Sequence, residues 1–265
     1  MFQRSDHTFA VCAYGKSPFL EDLLSSLAAQ EVPTSTLVAT STPNRLIESL
    51  CDKYGLPLHV NHGPGGIAGD WNFTVSLAKT PLVTIAHQDD VYLPRYSRVA
   101  LESLSQRPDA TLHFTDYGEL RDGVRVDDNR LLAIKHMLLT PLKSRALSRY
   151  AFVRRRALSC GYPICCPSVT LVRGAFSEPL FNNHFGANLD WETWERLSLV
   201  PGSFVYAPEI LMLHRIHEES ETSHLIQDNR RTQEDLEMLC RFWPRPLART
   251  INRVYSTGQK SNQVG

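Results

Sequence analysis

The chain has 265 residues, of which 42% are hydrophobic, and its 28 lysines and arginines balance 28 aspartates and glutamates. A chain of this length can bury a sizeable core in one domain or in a domain with an appendage. The zero net charge argues against a protein that binds nucleic acid through bulk positive charge. No apolar run approaches the ~18 residues that a membrane span needs, and the N-terminal segment lacks the apolar core of a signal peptide.

Short β-branched runs alternate with amphipathic runs in the first half of the chain. The predicted strands cover 8–13, 36–40, 58–61 and 82–86, and the predicted helices cover 18–30, 43–54 and 71–78. Asp70 is the predicted N-cap of the third helix. This alternation predicts β-α-β units and a parallel sheet.

The second half is less regular. Strands are predicted at 111–115, 168–172, 204–207 and 211–213, and helices at 94–106, 190–197 and 234–242. A polar, basic stretch at 118–160 predicts a helical excursion, and the Pro-, Arg- and Ser-rich tail after Trp243 is expected to end in disorder. We therefore expect one domain over 1–225 and a C-terminal helix and tail over 226–265.

Two compositional features concern location and partners. Six cysteines without a C-x-x-C pair favour reduced thiols in a cytosolic protein. Segment 143–156 contains six basic residues and no acidic residue, which fits a solvated helix face or a surface for anionic lipid or a phosphate-bearing acceptor. These basic residues are Lys143, Arg145, Arg149, Arg154, Arg155 and Arg156.

The predicted strand at 82–86 ends abruptly in His87, Gln88, Asp89 and Asp90. The carboxyl ends of parallel strands border the ligand crevice of open α/β folds. Adjacent carboxylates repel each other unless a cation or hydrogen-bond donors compensate. The segment therefore predicts a divalent metal that carries a phosphate, the alternative being an ordinary polar turn after a strand.

Two later clusters add chemistry. Asp190 lies at a predicted helix N-terminus, between a polar loop and two tryptophans, where a carboxylate can serve as a general base or merely cap the helix. His214, Arg215 and His217 follow a predicted strand. His217 is a candidate metal ligand and Arg215 a candidate phosphate contact, although paired histidines are often structural.

These clusters, in this order on a β-α-β background, resemble glycosyltransferase family 2, the inverting GT-A enzymes. The resemblance covers roughly residues 8–225. Its motifs are the first strand at 9–15 (FAVCAYG), the glycine loop and helix at 65–72 (GGIAGDWN), the D-x-D motif at 88–90 (QDD), the late helix at 190–197 (DWETWERL) and the segment at 214–220 (HRIHEES).

The resemblance implies a fold and an activity, and the cysteines and the basic stretch described above indicate a location. The fold is a GT-A (Rossmann-like), mixed, mostly parallel α/β sheet flanked by helices, with a helical C-terminal extension. The activity is inverting transfer of a hexosyl or N-acetylhexosaminyl group from a nucleotide-diphosphate sugar, with UDP-sugar favoured, to a hydroxyl of a saccharide, lipid-linked or protein acceptor in bacterial surface polysaccharide or glycolipid assembly. The location is cytoplasmic, with peripheral contact to the inner membrane through 143–156.

Residue roles follow from the matched motifs. The resemblance implies that Asp190 is the catalytic base and that Asp90 and His217 bind Mn²⁺ or Mg²⁺ on the diphosphate. The implied nucleotide-sugar contacts are Ala13, Tyr14, Thr42, Trp71, Asn72, Asp89, Asp90 and Arg215.

Three positions depart from the family pattern. The usual base-reading Asp after the second strand is missing, so Thr42 or Asn44 would substitute for it. Gln88 stands where an Asp is common, and Leu189 stands where a Glu usually precedes the base. The acids that the mechanism needs are retained, so we expect an active enzyme.

A zinc-dependent sugar-amide deacetylase is the alternative, because Ala86–Asp90 also resembles the A-H-P-D-D-E motif of those enzymes and His214 and His217 could complete a zinc site. The motif, however, follows the fourth strand instead of the first, and the Asp190 helix has no role in such a site. A non-catalytic sensor of nucleotide sugars on the same fold is a third interpretation.

Overall fold

A mixed nine-stranded sheet organises the part of the chain that the computed structural model describes, which is residues 1–217 and 230–260. The strands are β1 (His7–Ala13), β2 (Ser35–Thr40), β3 (Leu58–Val60), β4 (Leu82–His87), β5 (Val91–Tyr92), β6 (Ala110–Arg121), β7 (Val124–Val126), β8 (Val169–Val172) and β9 (Ser203–Ile216). The helices are α1 (Leu20–Ala28), α2 (Arg45–Tyr54), α3 (Ile67–Leu77), α4 (Tyr96–Ser105), α5 (Arg130–Leu139), α6 (Ala151–Leu158), α7 (Leu189–Leu197), α8 (Arg230–Cys240) and α9 (Arg245–Lys260).

The sheet has the strand order β3-β2-β1-β4-β8-β6-β9-β5, with β7 paired to β6. Strands β1 to β4 are parallel, β6 is parallel to β9, and β8 runs antiparallel to both β4 and β6. The carboxyl ends of β1, β2 and β4 therefore lie at one edge, as the alternating pattern predicts. This confirms the predicted mixed, mostly parallel sheet flanked by helices.

Helices cover both faces of the sheet and bury two main apolar clusters. Leucines of α1 and Ile47 and Leu50 of α2 pack with Phe9 and Val11 on one face. On the other face α3, α6 and α7 pack together, with Trp191 and Trp194 completely buried. In the described residues, no helix combines the length and apolar character that crossing a membrane requires.

Several element predictions need correction. Helix α3 begins at Ile67 with Gly66 at its N-cap, so Asp70 lies inside the first turn and is not the cap. The two short strands predicted at 204–207 and 211–213 form one strand, β9, whose pairing with β6 shifts register around Thr115 and Asp116. The 118–160 excursion contains α5 and α6 as predicted, but it starts with the end of β6 and with β7.

The tail after Trp243 contains helix α9 through Lys260, which the sequence did not predict. Ala248 and Asn252, one helical turn apart, are buried in α9, and the Asn252 side chain donates to the Thr232 carbonyl of α8 at 3.0 Å. This spacing is hard to recognise among the arginines and serines of the tail. The predicted domain boundary at 225/226, the end of the 214–220 motif and the last five residues lie outside the described residues.

Candidate active site

The polar clusters meet at the carboxyl edge of the sheet because the short strand β5 pairs antiparallel with β9. Val91 lies opposite Leu213, and Tyr92 lies opposite Met212. The residues just before β5, Asp89 and Asp90, therefore lie beside the residues that follow Leu213. This pairing brings two segments together that are more than a hundred residues apart in sequence.

Of the two adjacent acids, Asp90 is the one that is completely buried. Its Oδ1 accepts hydrogen bonds from His214 Nδ1 at 2.9 Å and from the Arg215 backbone N–H at 3.0 Å. Burial opposes the charged form of His214, but the Asp90 carboxylate outweighs it, so the pKa of His214 is raised. Asp90 thus holds β9 against the end of β4.

Asp89 is the accessible acid, and its partner is His217. Asp89 Oδ2 lies 2.9 Å from His217 Nε2, and both side chains are 21% exposed. Burial disfavours the ionised carboxylate, but the His217 hydrogen bond and the charges of His87 and His214 outweigh it, so the pKa of Asp89 is lowered. The sequence paired Asp90 with His217, whereas the structure pairs Asp89 with His217.

Arg215 is committed to internal partners, in contrast to its predicted contact with phosphate. Its guanidinium donates to the Asp89 carbonyl and to Asp22 Oδ2, both at 2.8 Å, and lies 4.2 Å from the Phe19 ring centre. These contacts fix the turn that carries Asp89. The structure therefore gives Arg215 a positioning role.

Side-chain amides and hydroxyls fix the end of β1. Gln88 accepts from the Tyr14 N–H at 2.8 Å and donates to the Tyr14 carbonyl at 3.0 Å. Thr42 Oγ1 accepts from the Gly15 N–H at 2.7 Å, and Asn44 donates to the Gly15 carbonyl at 2.8 Å. Thr42 and Asn44 are thus occupied in shaping the loop. Ala13 is buried beneath it, while the Tyr14 ring is exposed at the rim.

Helix α3 contributes a wall and a clamp. The Trp71 ring lies against His87 with the ring centres 4.6 Å apart. Asn72 exchanges two hydrogen bonds of 2.8 Å with the backbone of Phe181. Because these bonds occupy its amide, Asn72 fixes the 181 loop and is not free for the predicted contact with the donor. Trp71 lies beside His87 at the end of β4.

Asp70 is a site residue that the sequence suggested only as a helix cap. Its carboxylate accepts from Ser41 Oγ and from Asn61 Nδ2, each at 2.8 Å, and so lies where the ends of β2 and β3 meet. A carboxylate has about four acceptor positions, and only two are used here. The chain therefore places an acid near the position where its second strand lacks one.

Asp190 is nearly buried and lies in the first turn of α7. The Tyr162 hydroxyl donates to its Oδ2, and the Trp191 N–H donates to its Oδ1 at 2.8 Å. Burial raises the pKa of Asp190 despite these two donors. A carboxylate whose pKa is raised is a better proton acceptor, as a general base requires.

Lys135 and Tyr162, both in the stretch where the family motifs are thinnest, surround this acid. The Lys135 ammonium donates to the Tyr117 hydroxyl and lies 5.6 Å from the Tyr162 ring centre. Burial lowers the pKa of Lys135, while Asp190 is among the acids that oppose that shift. No sequence motif indicates these two residues, since both come from segments that fold back onto α7.

The donor set of Asp89 and His217 fits a divalent cation that is shared with a diphosphate. Mg²⁺ and related ions are commonly held by one or two protein ligands, with phosphate oxygens completing the coordination. Within residues 1–217 and 230–260, no group of three or more His, Cys, Asp and Glu side chains is arranged to hold a metal ion.

Many solved structures share this fold, and three of them illustrate the likeness. The chain matches a mannosyltransferase from Pyrobaculum calidifontis in complex with GDP-Man and Mn²⁺ with a TM-score of 0.65, 15% identity and coverage of 98% of this chain and 71% of that chain. It matches residues 1–349 of TarS from S. aureus in complex with UDP-GlcNAc with a TM-score of 0.63, 13% identity and coverage of 93% and 70%.

The third is glucosyl-3-phosphoglycerate synthase from Mycobacterium tuberculosis in complex with Mn²⁺ and UDP-glucose, with a TM-score of 0.56, 12% identity and coverage of 84% of this chain and 77% of that chain. No protein-family model matches the sequence, and no curated protein matches it either. At these identities the likeness concerns the fold. The chain has the GT-A fold that was predicted from its sequence.

Proposed function

We propose that this protein is an inverting glycosyltransferase that transfers a sugar from a nucleoside-diphosphate sugar to a hydroxyl acceptor. The observation that carries the proposal is the separation of two kinds of acid at one sheet edge. Asp89 faces His217 in an accessible pair, while Asp190 is nearly buried and has a raised pKa. A group that helps to hold the leaving diphosphate and a group that accepts a proton need these two different environments.

On the donor side, the exposed Tyr14 ring offers a surface on which a nucleotide base can stack. The Asp70 carboxylate can accept a hydrogen bond from a ring N–H of the base, such as that of uracil. We favour UDP-sugars because two of the three structural neighbours were crystallised with UDP-GlcNAc or UDP-glucose, although the third holds GDP-Man.

Asp89 and His217 would hold Mn²⁺ or Mg²⁺ on the diphosphate. When bound, such a cation neutralises the charge that develops on the leaving nucleoside diphosphate. The protein itself fixes the positions of Asp89 and His217, the two side chains that would bind the cation. Asp90 and Arg215 hold the Asp89 turn, and the Phe19 ring lies edge-on to His217 with 5.0 Å between ring centres.

On the acceptor side, Asp190 would take the proton from the attacking hydroxyl. The Tyr162 hydroxyl and the Trp191 N–H fix the orientation of the carboxylate, and burial keeps its proton affinity high. Direct attack of that hydroxyl on the anomeric carbon, opposite the diphosphate, inverts the configuration. Lys135 lies beside this position and would contact the acceptor, which we take to be a saccharide or lipid-linked saccharide of surface polysaccharide or glycolipid assembly.

The deacetylase alternative gains no support from the geometry. A catalytic zinc site of the His/Asp/His type needs three protein ligands around one point. Here His214 binds Asp90 and His217 binds Asp89, so each histidine is paired with a different acid. The Asp190 cluster would also have no role in that reaction.

Turnover of nucleotide sugars tests the proposal. The protein should release UDP or GDP from one of a panel of nucleotide sugars in the presence of Mn²⁺, with release stimulated by an acceptor. The variant Asp190→Asn should bind the nucleotide sugar but release almost no UDP or GDP from it. The control variant Asp52→Asn, which changes an exposed acid of α2, should behave as wild type. Zinc-dependent acetate release without UDP or GDP release would overturn the proposal.

A further inference from the structure

Four exposed apolar side chains form a surface that the proposed reaction does not use. The segment before α6 and its first turn carry three of them, and the loop before β9 carries the fourth. They are Leu147, Tyr150, Phe152 and Leu199, which are 44%, 58%, 74% and 56% exposed. We call these four residues the apolar patch. Large apolar side chains grouped on a surface commonly mark an interaction site.

A buried arginine holds the two parts of the apolar patch together. The Arg154 guanidinium donates to the Arg149 carbonyl at 2.8 Å on one side, and to the carbonyls of Ser198 and Val200 at 3.0 and 2.8 Å on the other. Arg154 therefore cannot contact an outside anion, although it is one of the six basic residues of the segment. Arg154 instead stabilises the backbone of the surface from which the other basic side chains project.

Basic side chains without an ion pair accompany the apolar patch in the same segment of the chain. Within the described part of the chain, no ion pair is made by four exposed residues: Lys143, Arg145, Arg149 and Arg156. The Arg156 guanidinium lies 4.3 Å from the Trp243 ring centre, which continues the basic surface towards Arg245 at the start of α9. Two nearby acids, Asp109 and Glu195, are already paired with Arg107 and Arg155.

We propose that this surface docks the protein on an anionic lipid bilayer. Tyrosine and phenylalanine side chains are suited to the headgroup region, and arginines beside them bind lipid phosphates. A merely solvated helix face would explain the arginines but not Phe152, which projects from the side of α6 opposite the buried Arg154. A second copy of the chain would have to place these unpaired cations against each other.

If the proposed function is correct, this surface would place the active site near a lipid-linked acceptor in the membrane. Helix α7 begins at the Asp190 turn and ends at the loop that carries Leu199. Nine helical residues span about 13 Å. The active site would thus stand above the headgroups without being pressed against them.

Vesicle sedimentation tests docking without turnover. The full chain should sediment with phosphatidylcholine vesicles that contain phosphatidylglycerol and stay in solution with phosphatidylcholine alone. Raising the salt concentration should weaken binding. The double variant Arg145→Gln/Arg149→Gln should weaken it by at least tenfold, because each arginine near an anionic surface contributes about fivefold. Phe152→Ser should also weaken it several-fold.

A matched control comes from the other end of β6. Val124→Ser/Arg125→Gln removes an equally exposed apolar side chain and an arginine from the β6–β7 hairpin, and should leave vesicle binding unchanged. Equal binding to both kinds of vesicle, no binding to either, or equal weakening by the control would overturn the proposal. A dimer in sedimentation equilibrium that Phe152→Ser dissociates would also overturn it and assign the surface to a second copy. Because nucleotide sugar is absent from the assay, its outcome is independent of whether the proposed reaction is correct.

Discussion

The proposed donor side and the proposed acceptor side of the site are constructed differently. The donor side uses the ends of parallel strands, and its side chains mostly bond to backbone groups, as Gln88 does with Tyr14 and Arg215 does with Asp89. The acceptor side uses helices and loops from distant segments, and its side chains bond to one another, as Tyr162 does with Asp190. Strand ends therefore fix the donor side, whereas the acceptor side depends on tertiary packing.

This difference predicts where substitutions will act. Donor-side changes should alter either metal-dependent nucleotide binding or the stability of the sheet edge. Acceptor-side changes should alter turnover while leaving nucleotide affinity nearly intact. The substitutions below separate the two sides, beginning with the largest expected effect.

Asp190→Asn should lower kcat by about 10³- to 10⁴-fold, because it removes the proposed general base. UDP affinity, measured by calorimetry with Mn²⁺, should stay within about twofold of wild type. The raised pKa of Asp190 means that the fold favours its protonated form. The stability that the protonated form contributes is present below the pKa of the unfolded state and is lost as pH rises through the pKa of the folded state. The neutral Asn variant should therefore melt at a higher temperature than wild type at pH 7.

Asp90→Asn should act mainly on stability. The substitution breaks a buried charged pair with His214 and weakens the bond from the Arg215 N–H, a loss of about 3 kcal/mol in the free energy of unfolding. Chemical denaturation at pH 6 should show it. Because the pKa of His214 is raised in the folded protein, the stability that protonated His214 contributes is fully present below the pKa of the unfolded state. It is lost as pH rises through the pKa of the folded state. The difference from wild type should therefore shrink as pH rises, and a constant difference would contradict this account.

Asp89→Asn should act mainly on metal-dependent binding and should cost less stability than Asp90→Asn. Asp89 is accessible and paired with His217, so its loss should weaken UDP binding in Mn²⁺ by about 10- to 100-fold. Binding in EDTA should be weak for both proteins and equal. The comparison of Asp89→Asn with Asp90→Asn thus distinguishes two neighbouring acids. Equal losses of stability in both variants would show that they share one role.

The sequence indicated the strand end that carries the proposed donor side, but it did not indicate the division of labour between Asp89 and Asp90. A β-branched run that ends in polar residues indicates both a strand and a site at its end. Which acid faces the cleft depends on the turn after β4 and on the pairing of β5 with β9. That pairing is a long-range contact, and a two-residue strand leaves almost no local signal.

The acceptor side was predictable only at Asp190. Tyr162 and Lys135 belong to segments without regular periodicity, and their approach to Asp190 depends on how α5 and the loop after α6 pack. Strand β9 and helix α9 were missed in part for local reasons. Pro208 and Glu209 interrupt the apolar pattern at the register shift in β9, and few apolar residues mark the buried side of α9.

Lys135→Met tests whether the acceptor side extends into the excursion. Methionine keeps the unbranched shape and removes the charge, so kcat/KM for the acceptor should fall by about tenfold, the loss of one charge-assisted hydrogen bond. UDP affinity should not change. Lys79→Met, an exposed lysine at the end of α3, is the matched control. An equal loss in nucleotide affinity would place Lys135 on the donor side instead.

Tyr162→Phe is expected to have the smallest effect, a shift of the pH–rate profile. The base must be deprotonated, so the acid limb of kcat reports the pKa of Asp190 in the complex. Burial raises that pKa and the Tyr162 hydrogen bond lowers it, so removal of the hydroxyl should raise it further. The acid limb should therefore move to higher pH, with the plateau rate nearly unchanged. Tyr150→Phe, which alters an exposed tyrosine outside the site, should leave the profile in place. A shift to lower pH would show that Tyr162 does not stabilise the ionised base.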